Sequence, residues 1–248
     1  MKPSSILTIL TFCAGLVVGP ARAQQSDWQY AASIYLFMPE STTAITTPTR
    51  RLESTLSFGD ALDNLDMAFM GAVSASNGRW SVLADYMLTD LSFGAPSPDP
   101  AFGGINTTLK LQIFNGYVTY RAHQTGDVQV DLGAGLRWMD TDTSLTLLPG
   151  TSPQISAAAN ESWVDPVIVA RLRARFSDRW SGTALVDYGG FSSDDETWQV
   201  LLTADYELNA NWLLRGGYRI ISADHRLDNG NDFEFEQSGP ILGVTYRF

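Results

Sequence analysis

The sequence holds two imidazoles, His123 and His225, and an imidazole set against a carboxylate or hydroxyl can act as a general base near neutral pH. Asp224 adjoins His225, but neighbouring side chains on a strand point to opposite faces, so the two are not a ready pair. The simpler reading of each histidine is a solvated residue at the rim of the fold. Asp228-Asn229-Gly230-Asn231-Asp232 puts oxygen ligands at alternate positions, as a hard cation such as calcium requires. The same five residues suit a hairpin turn, and no glutamate follows at calcium-loop spacing. Asp140-Thr141-Asp142 and Asp194-Asp195-Glu196 read likewise as solvated loop charges. The chain has no glycine-rich phosphate loop, nucleophile elbow or histidine-rich metal motif. No catalytic residue, metal ligand or cofactor is therefore expected.

More of the charge lies on long alternating segments. Trp80, Val82, Ala84, Tyr86 and Leu88 make one apolar face against Ser81, Asp85 and Thr89. Val128, Val130, Leu132, Ala134, Leu136 and Trp138 oppose Gln129, Asp131, Gly133, Gly135 and Arg137. Similar faces run from Val164 to Phe176 and from Trp198 to Tyr206. Such period-two patterns belong to strands. By parity Arg137, Arg171, Arg173, Arg175, Arg215, Arg219 and Arg247 share the polar faces with Asp85, Asp131, Asp165, Asp187, Asp205 and Glu207. In a soluble sandwich those faces would meet water. In a transmembrane barrel the apolar faces meet lipid, the polar faces line the lumen, and aromatics collect at the ends of the apolar band, as they do here. Charges in a narrow lumen must pair or stay hydrated, so the set reads as an internal network of Arg-carboxylate pairs filling the barrel, with a charged conduit for a small solute as the rival.

The connections support the barrel. Ser76-Asn77-Gly78-Arg79-Trp80, Ser177-Asp178-Arg179-Trp180 and Asn209-Ala210-Asn211-Trp212 are tight turns, each followed at once by a tryptophan on the apolar face, and a slightly longer turn covers residues 122–127. Longer, more acidic connections fall around 92–105, 141–161, 189–196 and 226–233. Short turns at one end and long loops at the other make a barrel, with Trp80, Trp180 and Trp212 at the periplasmic interface. The strands are expected near 27–38, 66–76, 79–93, 105–121, 127–141, 162–176, 180–190, 196–207, 212–226 and 233–248. Ten is the central reading, with eight or twelve as alternatives. Residues 39–65 form an external hairpin, an inward-folded plug, or two further strands. The apolar parity also changes within 105–121, from Leu109, Leu111 and Ile113 to Val118 and Tyr120, which a bulge near Phe114–Gly116 would explain.

At the N-terminus, Lys2 precedes an apolar run from Ile6 to Val18 and then Ala21-Arg22-Ala23. The run is too short to span a membrane and reads as a secretory signal over residues 1–23, leaving 24–248 as the barrel domain. Its removal takes away Cys13, the single cysteine, so neither disulfide nor thiolate metal site is expected. It also takes Lys2 and Arg22, leaving 14 basic residues against 27 acidic, a net charge of −13. Such a balance argues against nucleic acid as a partner.

The last residues, Leu242, Val244, Tyr246 and Phe248, alternate apolar to a terminal phenylalanine. This tail resembles the C-terminal strand of Gram-negative outer-membrane β-barrels. Phe58 to Gly71, Trp163-Val164-Asp165-Pro166 and Ser238 to Gly243 resemble recurring phrases of an uncharacterised group of small outer-membrane barrels. The resemblance implies export through the periplasm, location in the outer membrane, and recognition of the tail by the barrel-assembly machinery. It brings no established activity. The expected role is structural or interactive, in contact with lipid and lipopolysaccharide and with divalent cations at the external loops. A narrow solute channel is the alternative, and an enzyme at the outer rim a second one.

Overall fold

A computed structural model describes residues 28–49, 51–97, 99–192, 194–227 and 230–248. The segment read as a secretory signal lies outside the described residues, as does part of the calcium-like turn at 228–232. Ten antiparallel strands close into a barrel: β1 (Gln29–Phe37), β4 (Leu65–Ser76), β5 (Trp80–Ala95), β6 (Phe102–Thr125), β7 (Val128–Pro149), β8 (Ile155–Arg175), β9 (Trp180–Gly189), β10 (Asp195–Glu207), β11 (Trp212–Arg226) and β12 (Asp232–Arg247). Closure is made by β1 on β12, from Ala31 opposite Arg247 to Phe37 opposite Ile241.

Two further strands, β2 (Glu40–Thr46) and β3 (Arg51–Leu56), form a hairpin. β2 continues β1 along the outer half of β12, with Ser238 opposite Glu40 and Asp232 opposite Thr46. Residues 39–65 thus extend the wall beyond the barrel and add no strand to its circumference. The return passes through a short helix, α1 (Phe58–Asp63), whose start is capped by Ser57 Oγ accepting from the Asp60 N–H.

The short turns are built by their own side chains. Asn77 Oδ1 accepts from the N–H groups of Arg79 and Trp80, and Asn209 Oδ1 does the same for Asn211 and Trp212. Each turn delivers its tryptophan opposite a tyrosine of the adjoining strand. Trp80 meets Tyr120, Trp180 meets Tyr206 and Trp212 meets Tyr246, with ring centroids 5.0, 4.9 and 4.9 Å apart. These tilted and edge-on pairs form an aromatic girdle at the short-turn end. Beyond it the outward side chains are apolar and exposed, among them Ile34, Val73, Leu132, Ile168, Leu202 and Leu242.

Two expectations need correction. The connections read as long loops at 92–105 and 141–161 are largely strand: β6 and β7 stay paired from Thr125 opposite Val128 to Phe102 opposite Pro149, and β7 pairs with β8 as far as Leu147 opposite Ile155. Their threonines and serines favour the extended state without an apolar face to advertise it. Nor is there a bulge at Phe114–Gly116, since β5 and β6 keep one register from Trp80 opposite Tyr120 to Ala95 opposite Ile105. The change of apolar parity has another cause: Leu111 and Ile113 point into the barrel.

Candidate functional site: the barrel lumen

In the middle of the lumen, arginines bind carboxylates on strands that are not their neighbours. Arg137 of β7 is 0% exposed. Its Nη2 donates to both oxygens of Asp187 on β9 (2.8 and 2.9 Å), its Nε to Asn115 (2.7 Å) and its Nη1 to the Thr197 hydroxyl (2.5 Å). Asp187 also accepts from Tyr117 Oη (2.6 Å) and Gln199 Nε2 (3.0 Å). Room for the Tyr117 ring comes from Gly135, where a Cβ would lie 2.9 Å from the ring and 2.0 Å from the Gly116 carbonyl oxygen. Arg219 of β11 is 2% exposed. It reaches Asp85 on β5 (2.9 Å) and Tyr35 Oη on β1 (3.1 Å), while Asp85 accepts further from Tyr35 (2.5 Å) and Asn115 (3.2 Å). Each of these four charges thus has an opposite charge and added hydrogen bonds, the condition under which burial is tolerable.

Toward the long-loop end the interior becomes apolar. Phe37, Met70, Met87, Leu111, Ile113, Met139, Trp163, Ile221, Ala223, Phe235 and Ile241 pack together inside the barrel. Met139 and Ile221 are fully buried, and Phe37 lies beneath the Arg219 guanidinium with its centroid 5.9 Å away. The lumen is therefore filled by an ionic layer and an apolar layer, whereas the sequence led to an expectation of a lumen filled largely by Arg-carboxylate pairs.

At the short-turn end Asp131, buried, accepts from Arg121, from Arg171 (Nε 3.1 Å, Nη2 2.9 Å) and from Arg173 (3.0 Å). Arg215 holds Asp205 with two donors, at 2.6 and 3.1 Å. Of the residues placed inside by parity, Arg175 is exposed at this mouth, Arg247 pairs loosely with Glu207 at 3.7 Å, and Asp165 accepts from the indole of Trp163 (3.1 Å) instead of from an arginine. The charge set read from parity left out Arg121, Asn115, Tyr35 and Tyr117, because uncharged partners carry no signal and Arg121 stands at the very end of its expected strand, beside the turn read at 122–127.

At the opposite rim His225 stands opposite Asp195 on β10, and its Nδ1 lies 2.5 Å from Asp195 Oδ1. The imidazole stacks on Trp163 at 4.3 Å, the planes 1° from parallel. Ser192 Oγ donates to the other oxygen of Asp195 (2.8 Å). These groups border a surface pocket of about 290 Å³ that also contains Glu196, Asp224 and Glu234. Asp224 lies above the apolar band, and its carboxyl is raised above the usual range, by burial first and then by Glu234 and Glu196. Among the described residues, no three acidic, histidine or cysteine side chains are grouped to hold a metal ion.

The fold is shared with a solved outer-membrane barrel. The outer membrane protease OmpT from Escherichia coli superposes with a TM-score of 0.61 at 12% identity, over 90% of this chain and 98% of that one. Ail, the attachment invasion locus protein of Yersinia pestis, matches at 0.35 and 11% identity over 89% of this chain and 98% of that one. The Pseudomonas putida toluene transporter TodX matches at 0.36 and 10% identity, over 90% of each chain. At 12% identity the likeness to the protease is one of fold. No protein-family model matches the chain, and no curated protein matches it in sequence.

Proposed function

We propose that this chain is an integral barrel of the Gram-negative outer membrane with a closed lumen, serving a structural or interaction role. The observation that carries the reading is the cross-section itself: Arg219 is bound to Asp85 across the lumen, Gln199 reaches Tyr117 across it beside the Arg137–Asp187 pair, and an apolar layer that includes Met139 and Ile221 lies beyond them. A conduit needs a continuous hydrated path, and these layers interrupt one. The apolar band and aromatic girdle support membrane insertion, and the short-turn end with both barrel termini is assigned to the periplasm. Export by the segment at residues 1–23 and kinship with the uncharacterised group of small barrels belong to the same proposal, on the strength of the sequence phrases alone. Liposomes carrying the native protein should swell in small sugars no faster than empty ones. Rapid swelling would instead favour the narrow channel.

The partners in this reading are lipid, lipopolysaccharide and the assembly machinery. Glu196, Asp224 and Glu234 lie side by side across β10, β11 and β12 above the band. Divalent cations there would bridge carboxylates to lipid phosphates without sitting in a protein cage. Leu242, Val244 and Phe248 point outward from the last strand, Phe248 being 75% exposed. Deleting Phe248 should lower the amount of heat-modifiable barrel in outer membranes several-fold, scored by gel shift, and unchanged levels would remove the assembly signal from the account. A catalytic role is not part of the proposal. In the series Ser192, Asp195, His225 the carboxylate stands between hydroxyl and imidazole, the reverse of the order in which an imidazole activates a nucleophile.

A further inference from the structure

The two arginine sets in the lumen differ in their charge balance. In the middle, Arg137 and Arg219 each have a carboxylate of their own. At the short-turn mouth three guanidinium groups, of Arg121, Arg171 and Arg173, share the single carboxylate of Asp131. The nearby acids do not make up the difference, because Asp205 is held by both donors of Arg215 and Glu207 is paired with Arg247. Two positive charges are left over in a half-buried setting, and Arg175, one inward position nearer the mouth, stands beside Asp127 of the adjoining turn, whose backbone carbonyl accepts from the Arg175 N–H. Uncompensated charge in such surroundings is costly unless an anion answers it.

The hydrogen bonds show the same shortfall. Arg173 Nε and Thr203 Oγ1 are buried atoms with no hydrogen-bond partner among the described residues. The two residues lie on one cross-strand row, with Arg173 opposite Thr183 and Thr183 opposite Thr203, which places their Cα positions about 10 Å apart at two strand spacings. Arg219 Nε and Gln199 Oε1 are unpartnered too, but each lies deeper, in the charge-balanced layer. The side chain of Arg173 is 35% exposed, against 10% for Arg121 and Arg171, so the cluster opens toward the mouth and is closed above.

We infer that this mouth, which faces the periplasm in the orientation proposed above, is a binding site for an oxyanion of the phosphate class, held by the solvent-facing part of the Arg173 guanidinium together with the exposed Arg175. A guanidinium fork matches the paired oxygens of such an anion. The occupant is either a free phosphate or the phosphate of a lipid headgroup, and the site is independent of whether the lumen conducts.

The test is calorimetric titration of inorganic phosphate into the full-length refolded barrel in nonionic detergent, at constant ionic strength held with chloride. Saturable binding is expected with a dissociation constant at or below about 1 mM. Arg173→Ala should weaken it at least about tenfold, as loss of a charged hydrogen bond does. Arg226→Ala, which removes the same charge at the other end, should leave it unchanged. Repeating the titration in phosphatidylglycerol vesicles separates the sources: unchanged affinity identifies a free oxyanion, and lost affinity identifies a headgroup already in place. Absence of phosphate binding in detergent, or undiminished binding by Arg173→Ala, overturns the inference. If Arg173→Ala does not refold, Arg173→Lys keeps the charge and replaces the planar fork by a point charge, and its affinity must fall as well.

Discussion

Arg137→Ala should cost the folded barrel about 3–5 kcal/mol, the loss expected when one partner of a buried ion pair is removed. The cost falls mainly on what remains. Asp187 would keep only Tyr117 and Gln199, and the acceptors on Asn115 and Thr197 would lose their donor in a place water does not reach. The double variant Arg137→Met, Asp187→Leu should recover most of that loss, because two apolar side chains of similar size leave no buried charge unanswered. Urea unfolding in detergent or vesicles reads both effects. Equal destabilisation of the single and double variants would show that the network contributes shape and not charge balance.

The second large effect concerns the outer face. Leu202 and Leu132 project from β10 and β7 into the apolar band, both about half exposed in the isolated barrel. An arginine at either position brings a charge into hydrocarbon, at roughly 2–4 kcal/mol near the midplane. The same change at Ala158, exposed on β8 in the hairpin beyond the band, should be nearly neutral. Measured folding free energies into vesicles that fail to separate Leu202→Arg from Ala158→Arg would place the lipid elsewhere.

The outer face was the legible part of this sequence. Alternation runs unbroken through Val128–Trp138 and Trp198–Tyr206, and three of the four short turns announce themselves with Asn or Ser shortly before Trp, so ten strands and the girdle could be read directly. The interior was legible only where it is charged. Parity found Arg137, Arg171 and Arg219, but not their partners Asn115, Tyr117 and Tyr35, since an amide or phenol on a polar face looks like any solvated residue. The apolar layer was hidden for a different reason. Where a lumen is packed instead of wet, inward positions become apolar as well, and Leu111 and Ile113 then imitate a change of register. His225 and Asp195 lie 30 residues apart and meet only because β10 and β11 pair in that register, which no local pattern in the sequence fixes.

The closed lumen is the claim on which the functional reading depends, and single-channel recording of the native protein in a planar bilayer tests it most directly. The ionic layer at Arg137 and Arg219 and the apolar layer beyond it predict no steady current, or at most brief, small openings. A large, steady, porin-like conductance from the unmodified protein would contradict the account and put the channel in first place.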